Sequence, residues 1–289
     1  MATDAHTTQH DAAHTMPTLV IEPSRGWVRL GLRELWQYRE LLYFLTWKNI
    51  LIRYKQAVLG VAWALLNPII TMVVFTVVFN KLLGVSSGSY GVPYAVFTFT
   101  GLLPWNLFAT SLTSAGTSLV GNANLITKVY FPRLVIPTSS VLSTLPDFLL
   151  GFLVLVVLMA VYKVAPTWNV VFLPFFVLLA LVTALGVSLW LSALYVLYRD
   201  VQYIIPFLVQ LWFFLSPVTY PISKIPQGKW SVIYNLNPMT GVIGGFRWCL
   251  LGQQAPNSMF WLSAAMTLVV FVGGLFYFRR MERIFADVV

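Results

Sequence analysis

Long uncharged runs of apolar residues alternate with short polar segments over most of the chain. Between Lys55 and Lys81 there are 25 uncharged residues, and between Lys163 and Arg199 there are 35. At about 1.5 Å of rise per residue, a helix of about 20 residues crosses the hydrocarbon core of a bilayer. The pattern predicts six membrane-spanning helices, at residues 57–80, 94–119, 134–162, 169–197, 201–219 and 258–278.

Two segments between these predicted spans have more structure than a simple loop. Residues 121–133 combine Gly and Asn helix breakers with a short amphipathic piece and two basic residues, which predicts a compact loop containing one or two helical turns. Residues 222–252 are too apolar for a free loop and too interrupted for a crossing, so we expect a short re-entrant or interface-lying pair of helices. Within that pair, Gly241 and Gly245 have the small-xxx-small spacing that permits close helix approach.

The N-terminal part divides into a tail and an amphipathic segment. Residues 1–25 lack an apolar stretch of signal-peptide length, so we expect a flexible tail and no cleaved leader. In residues 26–55, apolar side chains between 28 and 44 fall largely on one helical face, although Arg39 interrupts it. This pattern favours a cytoplasmic helix lying in the membrane interface, and a solvated connecting helix is the alternative. Residues 280–289 are predicted to be a cytoplasmic tail, because the last span ends at the basic residues Arg279, Arg280 and Arg283.

The distribution of basic residues predicts the orientation in the membrane. With six spans, both termini lie on one side, and that side carries 13 of the 18 Lys and Arg residues. Cytoplasmic segments are enriched in Lys and Arg, so both termini are predicted to be cytoplasmic. The same topology places Asn124 inside and both Ser87 and Lys229 outside.

Composition agrees with this interpretation and excludes a water-soluble fold. Hydrophobic residues make up 58% of the chain and charged residues only 9%, whereas an ordinary globular chain is about 25% charged. The predicted fold class is therefore an all-α integral membrane protein. The net charge of +9 is attributed to topology and anionic lipid rather than to nucleic acid. A single cysteine, Cys249, cannot form an intramolecular disulfide.

No motif in the sequence indicates local catalysis. A G-x-x-x-x-G-K-[ST] phosphate loop is missing, and no histidine lies in a predicted span. His6, His10 and His14 recur at a spacing of four, but a solvated tail explains them better than a metal site. Asp147 is the single acid within a predicted span, and it is either a functional group facing a wet cavity or a solvated residue at a helix end. A membrane-embedded glycosyl- or lipid-modifying enzyme is the non-transport alternative, against which the missing acid pair argues.

Six sequence segments occur together in an order that resembles one transporter family. They are YRELLYFLTWKNILIRYKQAVLGVAWALLNPI (38–69), GLLPWNLF (101–108), NANLITKVYFPRLVIP (122–137), YRDVQYIIP (198–206), FFLSPVTYPI (213–222) and NPMTGVIGGFR (237–247). The chain beyond residue 30 resembles the permease subunits of ATP-binding-cassette exporters that move lipid-linked polysaccharides, the O-antigen and teichoic-acid export family.

This resemblance implies a bacterial cytoplasmic (inner) membrane protein that forms a homodimer and pairs with two separate ATPase subunits. The ATP and magnesium would be bound by those partners, and no cofactor or metal by this chain. The segment at 121–131 would be a coupling helix docking on the ATPase, with Asn124, Leu125, Lys128 and Tyr130 in contact. Residues 28–44 would be the interface helix, and 222–252 the gate helices on the outer side. The substrate would be a lipid-linked polysaccharide of O-antigen type, with teichoic acid, a drug or another small amphiphile as alternatives.

Candidate substrate contacts follow from the same resemblance. Arg53 and Lys55 are the nearest basic residues for a lipid-pyrophosphate head at the cytoplasmic entrance, although positive-inside anchoring explains them equally well. Sugars stack on aromatic rings, while most aromatic residues in membrane proteins serve packing or the interfacial belt. The candidate aromatic residues of a glycan channel are Trp63, Trp105, Phe108, Tyr195 and Phe213.

Overall fold

The computed structural model describes residues 32–55, 60–82, 84, 91–222, 228–252, 255 and 258–285. The α-helices of this part are α1 (Leu32–Gln37), α2 (Arg39–Lys55), α3 (Gly60–Phe75), α4 (Tyr94–Gly116), α5 (Ser118–Gly121), α6 (Ala123–Lys128), α7 (Val135–Leu142), α8 (Leu145–Val161), α9 (Leu173–Leu197), α10 (Val201–Phe214), α11 (Lys229–Leu236), α12 (Pro238–Leu251) and α13 (Ser258–Met281). A π-helical turn continues α3, and 3₁₀ turns precede α9 and follow α13. The predicted tail at 1–25, its three histidines, and Ser87 lie outside the described residues.

Five helical stretches in the described ranges are long and apolar enough to cross a membrane. They are Leu65–Leu82, Tyr94–Gly116, Val135–Val161, Trp168–Leu197 and Met259–Ile284. The helix within the predicted fifth span, α10, has 14 residues and is about 21 Å long, shorter than the hydrocarbon core. It stops at Phe214 rather than near residue 219 because the chain bends over 215–220, around Pro217. The chain is a multi-pass membrane protein.

The region predicted as a continuous third span consists of two helices. Helix α7 ends at Leu142, and α8 begins at Leu145 with Pro146 in its first turn. Proline has no N–H to bond the carbonyl four residues earlier, which is that of Leu142, so the helical ladder breaks at this point. Pro146 is well suited to the start of α8, where the first N–H groups have no helical partner.

Helices α4, α9 and α13 form the centre of the bundle, with α9 packing along both of the others. The contact between α9 and α13 depends on two glycines. A Cβ atom on Gly186 would lie 2.8 Å from the Cα atom of Phe271, and one on Gly274 would lie 2.5 Å from the carbonyl oxygen of Gly186. Only the lack of a side chain at both positions lets the two backbones come this close.

A second apolar cluster lies beside the main core and joins α2, α6 and α7 to the end of α13. Its buried members include Leu45, Ile126, Phe131, Phe278 and Phe285, and the last two rings have centroids 5.3 Å apart. This cluster anchors the segment between α5 and α7 against the last membrane helix.

The N-terminal amphipathic segment is divided at Tyr38 into α1 and α2. Leu35 and Leu42 pack against the second apolar cluster, whereas Trp36 and Tyr43 are exposed. The sequence pattern had placed all four on one face. The segment therefore has two apolar faces, one that packs against the bundle and one that faces outward. This arrangement is typical of a helix that contacts protein on one side and lipid on the other.

Helices α3 and α10 form an exposed edge of the bundle. Only 6% of the apolar window in Leu65–Leu82 is buried, against 83% of that in Tyr94–Gly116. The two helices touch through the stacked rings of Phe75 and Phe213, whose centroids lie 5.5 Å apart. Large apolar side chains on the outward side of this edge require lipid or another protein chain to cover them.

Candidate functional site

The segment predicted to be a coupling loop contains two short helices, α5 and α6, joined at Asn122. The Asn122 side chain donates to the carbonyl of Ser118 at 2.9 Å, and the backbone carbonyl of Asn122 accepts from the N–H of Leu125 at the same distance. Lys48 of α2 donates to the Asn122 side chain at 3.3 Å. Asn122 thus ends one helix, begins the next and connects both to the N-terminal segment.

The structure divides the four predicted contact residues of this segment into two groups. Asn124 and Lys128 are exposed, and Tyr130 is 95% exposed. Leu125 is half-buried against the second apolar cluster, so it anchors the segment to the helical bundle. Val129, which lies between Lys128 and Tyr130 beyond the end of α6, is exposed as well.

The chain following this segment is attached to the end of α13 by polar contacts. The side chain of Glu282 accepts from the backbone N–H of Arg133 at 2.9 Å and pairs with Arg279 at 2.8 Å. The guanidinium of Arg133 also donates to the backbone carbonyl of Glu282. Arg279 reaches Glu34 of α1 at 2.9 Å. Three parts of the sequence that lie far apart therefore meet here.

Arg53 and Asp147, which the sequence presented as separate candidates, form an ion pair between the end of α2 and the start of α8. Arg53 also donates to the Ser114 hydroxyl of α4 at 3.2 Å. The Tyr54 hydroxyl donates to the second carboxylate oxygen of Asp147. Burial and then this hydrogen bond raise the pKa of Tyr54 above its ordinary value, so the phenol stays protonated as a donor. Asp147 is thus a paired helix-end residue, while Lys55 is exposed.

Asp147→Asn is expected to destabilise the protein by about 2 kcal/mol, since hydrogen bonds to a charged group contribute about 1.5 to 3 kcal/mol. Arg53→Gln should have a similar effect, and the double variant should cost less than the sum of the two. Thermal unfolding of the detergent-solubilised protein measures this. Asp200→Asn, at an exposed aspartate, is the matched control. Additive single effects would show that the pair contributes no coupling energy.

Most of the aromatic residues predicted to line a glycan channel are packed inside the chain. Trp105, Phe108 and Tyr195 are buried, and Phe213 lies between Phe75 and Trp105, each at 5.5 Å between centroids. The side chain of Trp63 lies outside the described residues. A buried ring has no free face for a sugar, so these residues serve packing in this conformation. Exposed aromatic side chains occur instead along α10, at Tyr203, Phe207 and Phe214.

A buried arginine helps to hold the bent segment that follows α10 against the bundle. Arg247 of α12 is only 1% exposed and donates to the carbonyl of Val218 at 2.6 Å and to that of Tyr220 at 3.3 Å. The carbonyl between them, that of Thr219, accepts from the Tyr94 hydroxyl at 2.7 Å. Sequence reasoning treated Arg247 only as one of the basic residues on the outer side.

The surroundings of Arg247 explain how a guanidinium is tolerated at this depth. It lies over the ring of Phe97 at 3.8 Å from the centroid, which stabilises the positive charge. On α4, Gly101 provides the space, because a Cβ atom there would lie 2.9 Å from the guanidinium. The arginine thus connects α4, the 215–220 bend and α12.

The predicted gate region contains the helices α11 and α12, joined at Asn237. The Asn237 side chain caps α12 by accepting from the N–H of Met239 at 3.0 Å, and Pro238 begins that helix. The same side chain accepts from Trp212 of α10 at 2.9 Å. On α12, Gly245 provides close approach, since a Cβ atom there would overlap the ring of Phe176 at 1.9 Å. Asn237 therefore attaches the start of α12 to α10, and Gly245 lets α12 pack closely against α9.

Comparison with known proteins gives consistent results over most of the chain. The profile of the family described as ABC-2 type transporter matches residues 40–251. The O-antigen export system permease protein RfbA of Myxococcus xanthus is 35% identical over 255 residues, which cover 86% of this chain and 96% of that protein. A protein of the same name from Klebsiella pneumoniae is 30% identical over 250 residues, covering 86% and 95%. The polysialic acid transport protein KpsM of Escherichia coli is 23% identical over 241 residues, covering 81% and 91%.

Proposed function

Because this chain belongs to the ABC-2 type transporter family and is a transmembrane permease of polysaccharide export, we propose that it moves a lipid-linked polysaccharide of O-antigen type across the bacterial cytoplasmic membrane. The observation that carries this proposal is the similarity over 86% of the chain to a permease named for O-antigen export. A permease of this kind contributes geometry and breaks no bond, so the energy comes from a separate ATP-binding-cassette ATPase, which would hold the ATP and magnesium.

We propose a homodimer with a path along the α3 and α10 edge. Only 6% of the apolar window of Leu65–Leu82 is buried, and α10 buries only Val201 and Ile205. A second copy of the chain would cover this apolar surface. Opening and closing at such an edge requires only that two rigid bundles separate and rejoin. The exposed aromatic side chains of α10 then offer ring faces to a glycan, a role that the buried rings cannot fulfil in this conformation.

For topology, we propose six crossings with cytoplasmic termini. Helix α10 together with the bent segment up to Ile222 would make the remaining crossing, in which Arg247 and Tyr94 bond the carbonyls of 218–220. Helices α11 and α12 would lie on the outer side as the gate. Cysteine-accessibility labelling at Ser87, Asn124 and Lys229 tests this topology, with outside, inside and outside as the expected results.

For substrate entry, we propose that Arg53 and Lys55 receive the lipid-pyrophosphate head. The pyrophosphate head carries more negative charge than one carboxylate, so it can replace Asp147 as the ion-pair partner of Arg53. Asp147 would hold the guanidinium in position until the substrate arrives.

For coupling, we propose that the 121–133 segment docks on the ATPase through Asn124, Lys128 and Tyr130, while Leu125 anchors it to the bundle. ATP closes the ATPase pair, and the segment transmits that movement to the membrane helices, which shifts the population of open and closed states.

Tyr130→Ala is expected to weaken binding of the ATPase by about 2 kcal/mol, or about 30-fold in Kd, because exposed aromatic anchors are frequent interface hot spots. The measurement is the affinity of purified ATPase for the permease in nanodiscs. Tyr162→Ala is the matched control, since Tyr162 is also exposed but lies beyond the far end of α8. Equal affinity for both variants would refute the proposed docking surface.

Deletion of this chain in its host tests the proposed substrate directly. We expect undecaprenyl-linked polymer to accumulate inside the cell and surface polysaccharide to disappear, with both effects reversed by the wild-type chain. Unchanged surface glycan with no accumulation would refute the proposal, and a change in drug export alone would favour a small amphiphile as substrate.

A further inference from the structure

Glu282 lies at the point where the coupling segment, the last membrane helix and the N-terminal helix meet. Both of its carboxylate oxygens are used: Oε1 accepts from the backbone N–H of Arg133 at 2.9 Å, and Oε2 accepts from Arg279 at 2.8 Å. Its side chain is 16% exposed and that of Arg279 is 11% exposed. An ion pair so sheltered from water is screened less than a surface pair and contributes more.

Glu282 bonds the main chain of Arg133, so this contact restrains the backbone of the coupling segment. A bond to a backbone N–H fixes the path of the chain itself, whereas a bond to a long side chain can be absorbed by a change of rotamer. The Arg133 guanidinium also returns a bond to the Glu282 carbonyl. Two links in opposite directions therefore hold the end of the coupling segment against the chain that follows α13.

An apolar layer lies beneath these polar links. Phe131 is buried in the same cluster as Phe278 of α13 and Phe285 beyond it. The cluster resists shear because its side chains are packed on both sides of the contact. Helix α13 in turn packs along α9 without intervening side chains at Gly186 and Gly274. A rigid connection thus runs from the coupling segment through α13 to the centre of the bundle.

We propose that Glu282 is a positioning residue for transport: it fixes the coupling segment to α13, so that movement of the ATPase is passed to the last membrane helix instead of being lost in the loop. The proposal rests on the proposed function, since it presumes an ATPase that docks on this segment. Arg279 extends the same connection to Glu34 of α1, so the N-terminal helix moves with the other two elements. Glu282 itself contacts neither the substrate nor ATP.

Glu282→Gln is the sharpest variant for a test because it preserves shape and removes the charge. One side-chain oxygen can still accept from Arg133, but the amide nitrogen then faces the Arg279 donor and cannot accept from it. Glu282→Ala removes both side-chain contacts, those with the Arg133 N–H and with Arg279, and leaves the backbone carbonyl that accepts from the Arg133 guanidinium. Glu40→Gln is the matched control, since Glu40 of α2 is exposed and its side chain makes no hydrogen bond or ion pair with the residues that the structure describes.

The experiment measures ATP hydrolysed per polymer exported by the reconstituted complex of permease and ATPase, with the amount of assembled complex measured in parallel. We expect the ratio to rise at least about fivefold for Glu282→Gln and further for Glu282→Ala, while Glu40→Gln keeps the wild-type ratio. A merely structural role would lower hydrolysis and export together with the amount of complex, and would leave the ratio unchanged.

An unchanged ratio for Glu282→Gln and Glu282→Ala, at whatever level of export, overturns the proposal while leaving the proposed function intact. A wild-type complex that hydrolyses ATP and exports no polysaccharide removes the proposed function and this proposal with it. The two failures are therefore distinguished by the wild-type measurement alone.

Discussion

Gly186→Ala is expected to destabilise the bundle by about 3 kcal/mol, at the upper end of the usual cost of overpacking a core. The added Cβ atom would lie 2.8 Å from the Cα atom and 2.9 Å from the backbone nitrogen of Phe271. Backbone atoms of a packed helix cannot rotate away as a side chain can, so α9 and α13 must separate. Gly274→Ala should act in the same way, because its Cβ would meet the carbonyl oxygen of Gly186 at 2.5 Å.

The control for this prediction is Gly273→Ala, one residue earlier on the same helix. There the closest atom to a new Cβ is at the ring of Trp190, 3.2 Å away, and the ring of a partly exposed tryptophan can shift by a few tenths of an ångström. Thermal unfolding in detergent should place Gly273→Ala close to the wild type and the other two variants well below it. If all three variants melt at the same temperature, backbone contact between α9 and α13 is not what limits stability.

Arg247→Met is expected to cost about 3 to 5 kcal/mol, because it removes the donor of one buried and one partly buried carbonyl, at about 1 to 3 kcal/mol each, together with a cation–π contact. The carbonyls are those of Val218 and Tyr220, and the ring is that of Phe97. Methionine has a similar length and is apolar, so the loss is one of hydrogen bonds more than of volume. The bend after α10 should then detach from α4.

Two measurements check this prediction. The melting temperature of Arg247→Met should fall, and an engineered cysteine at Thr219, buried in the wild type, should become reactive. Arg247→Lys should lie between the two, since one ammonium can reach one carbonyl but lacks the planar fork of the guanidinium. Lys229→Gln is the control for loss of one positive charge at an exposed position. A protected Thr219 site in the Met variant would contradict the assigned role of Arg247.

The sequence was most informative where local properties are sufficient. Apolar runs of membrane length and the helix breakers around Asn122 can each be identified within about 20 residues of chain. The end of α10 was predicted only approximately, near residue 219 rather than at Phe214. The bend that follows the helix is held by Arg247, which lies 29 residues beyond Val218 in the chain.

The candidate site shows the same limit at the level of side chains. Asn124, Lys128 and Tyr130 are exposed, whereas Leu125 faces inward because it packs against the second apolar cluster. Arg53 and Asp147 are 94 positions apart, and no pattern of charge along the chain links them. The buried state of Trp105 and Phe108 is likewise invisible to an argument from aromatic content.

By itself, the sequence determined that the chain is a helical multi-pass membrane protein and that it resembles polysaccharide-export permeases, because hydropathy, helix breakers and ordered motifs are properties of short stretches. The tertiary structure alone decided which polar groups meet. Glu282 with the Arg133 backbone, Arg53 with Asp147, and Arg247 with the carbonyls after α10 are pairs formed by helix packing. A buried charge is stable only beside a partner. The partners here lie far apart in the chain, so they can be identified only once the packing of the helices is known.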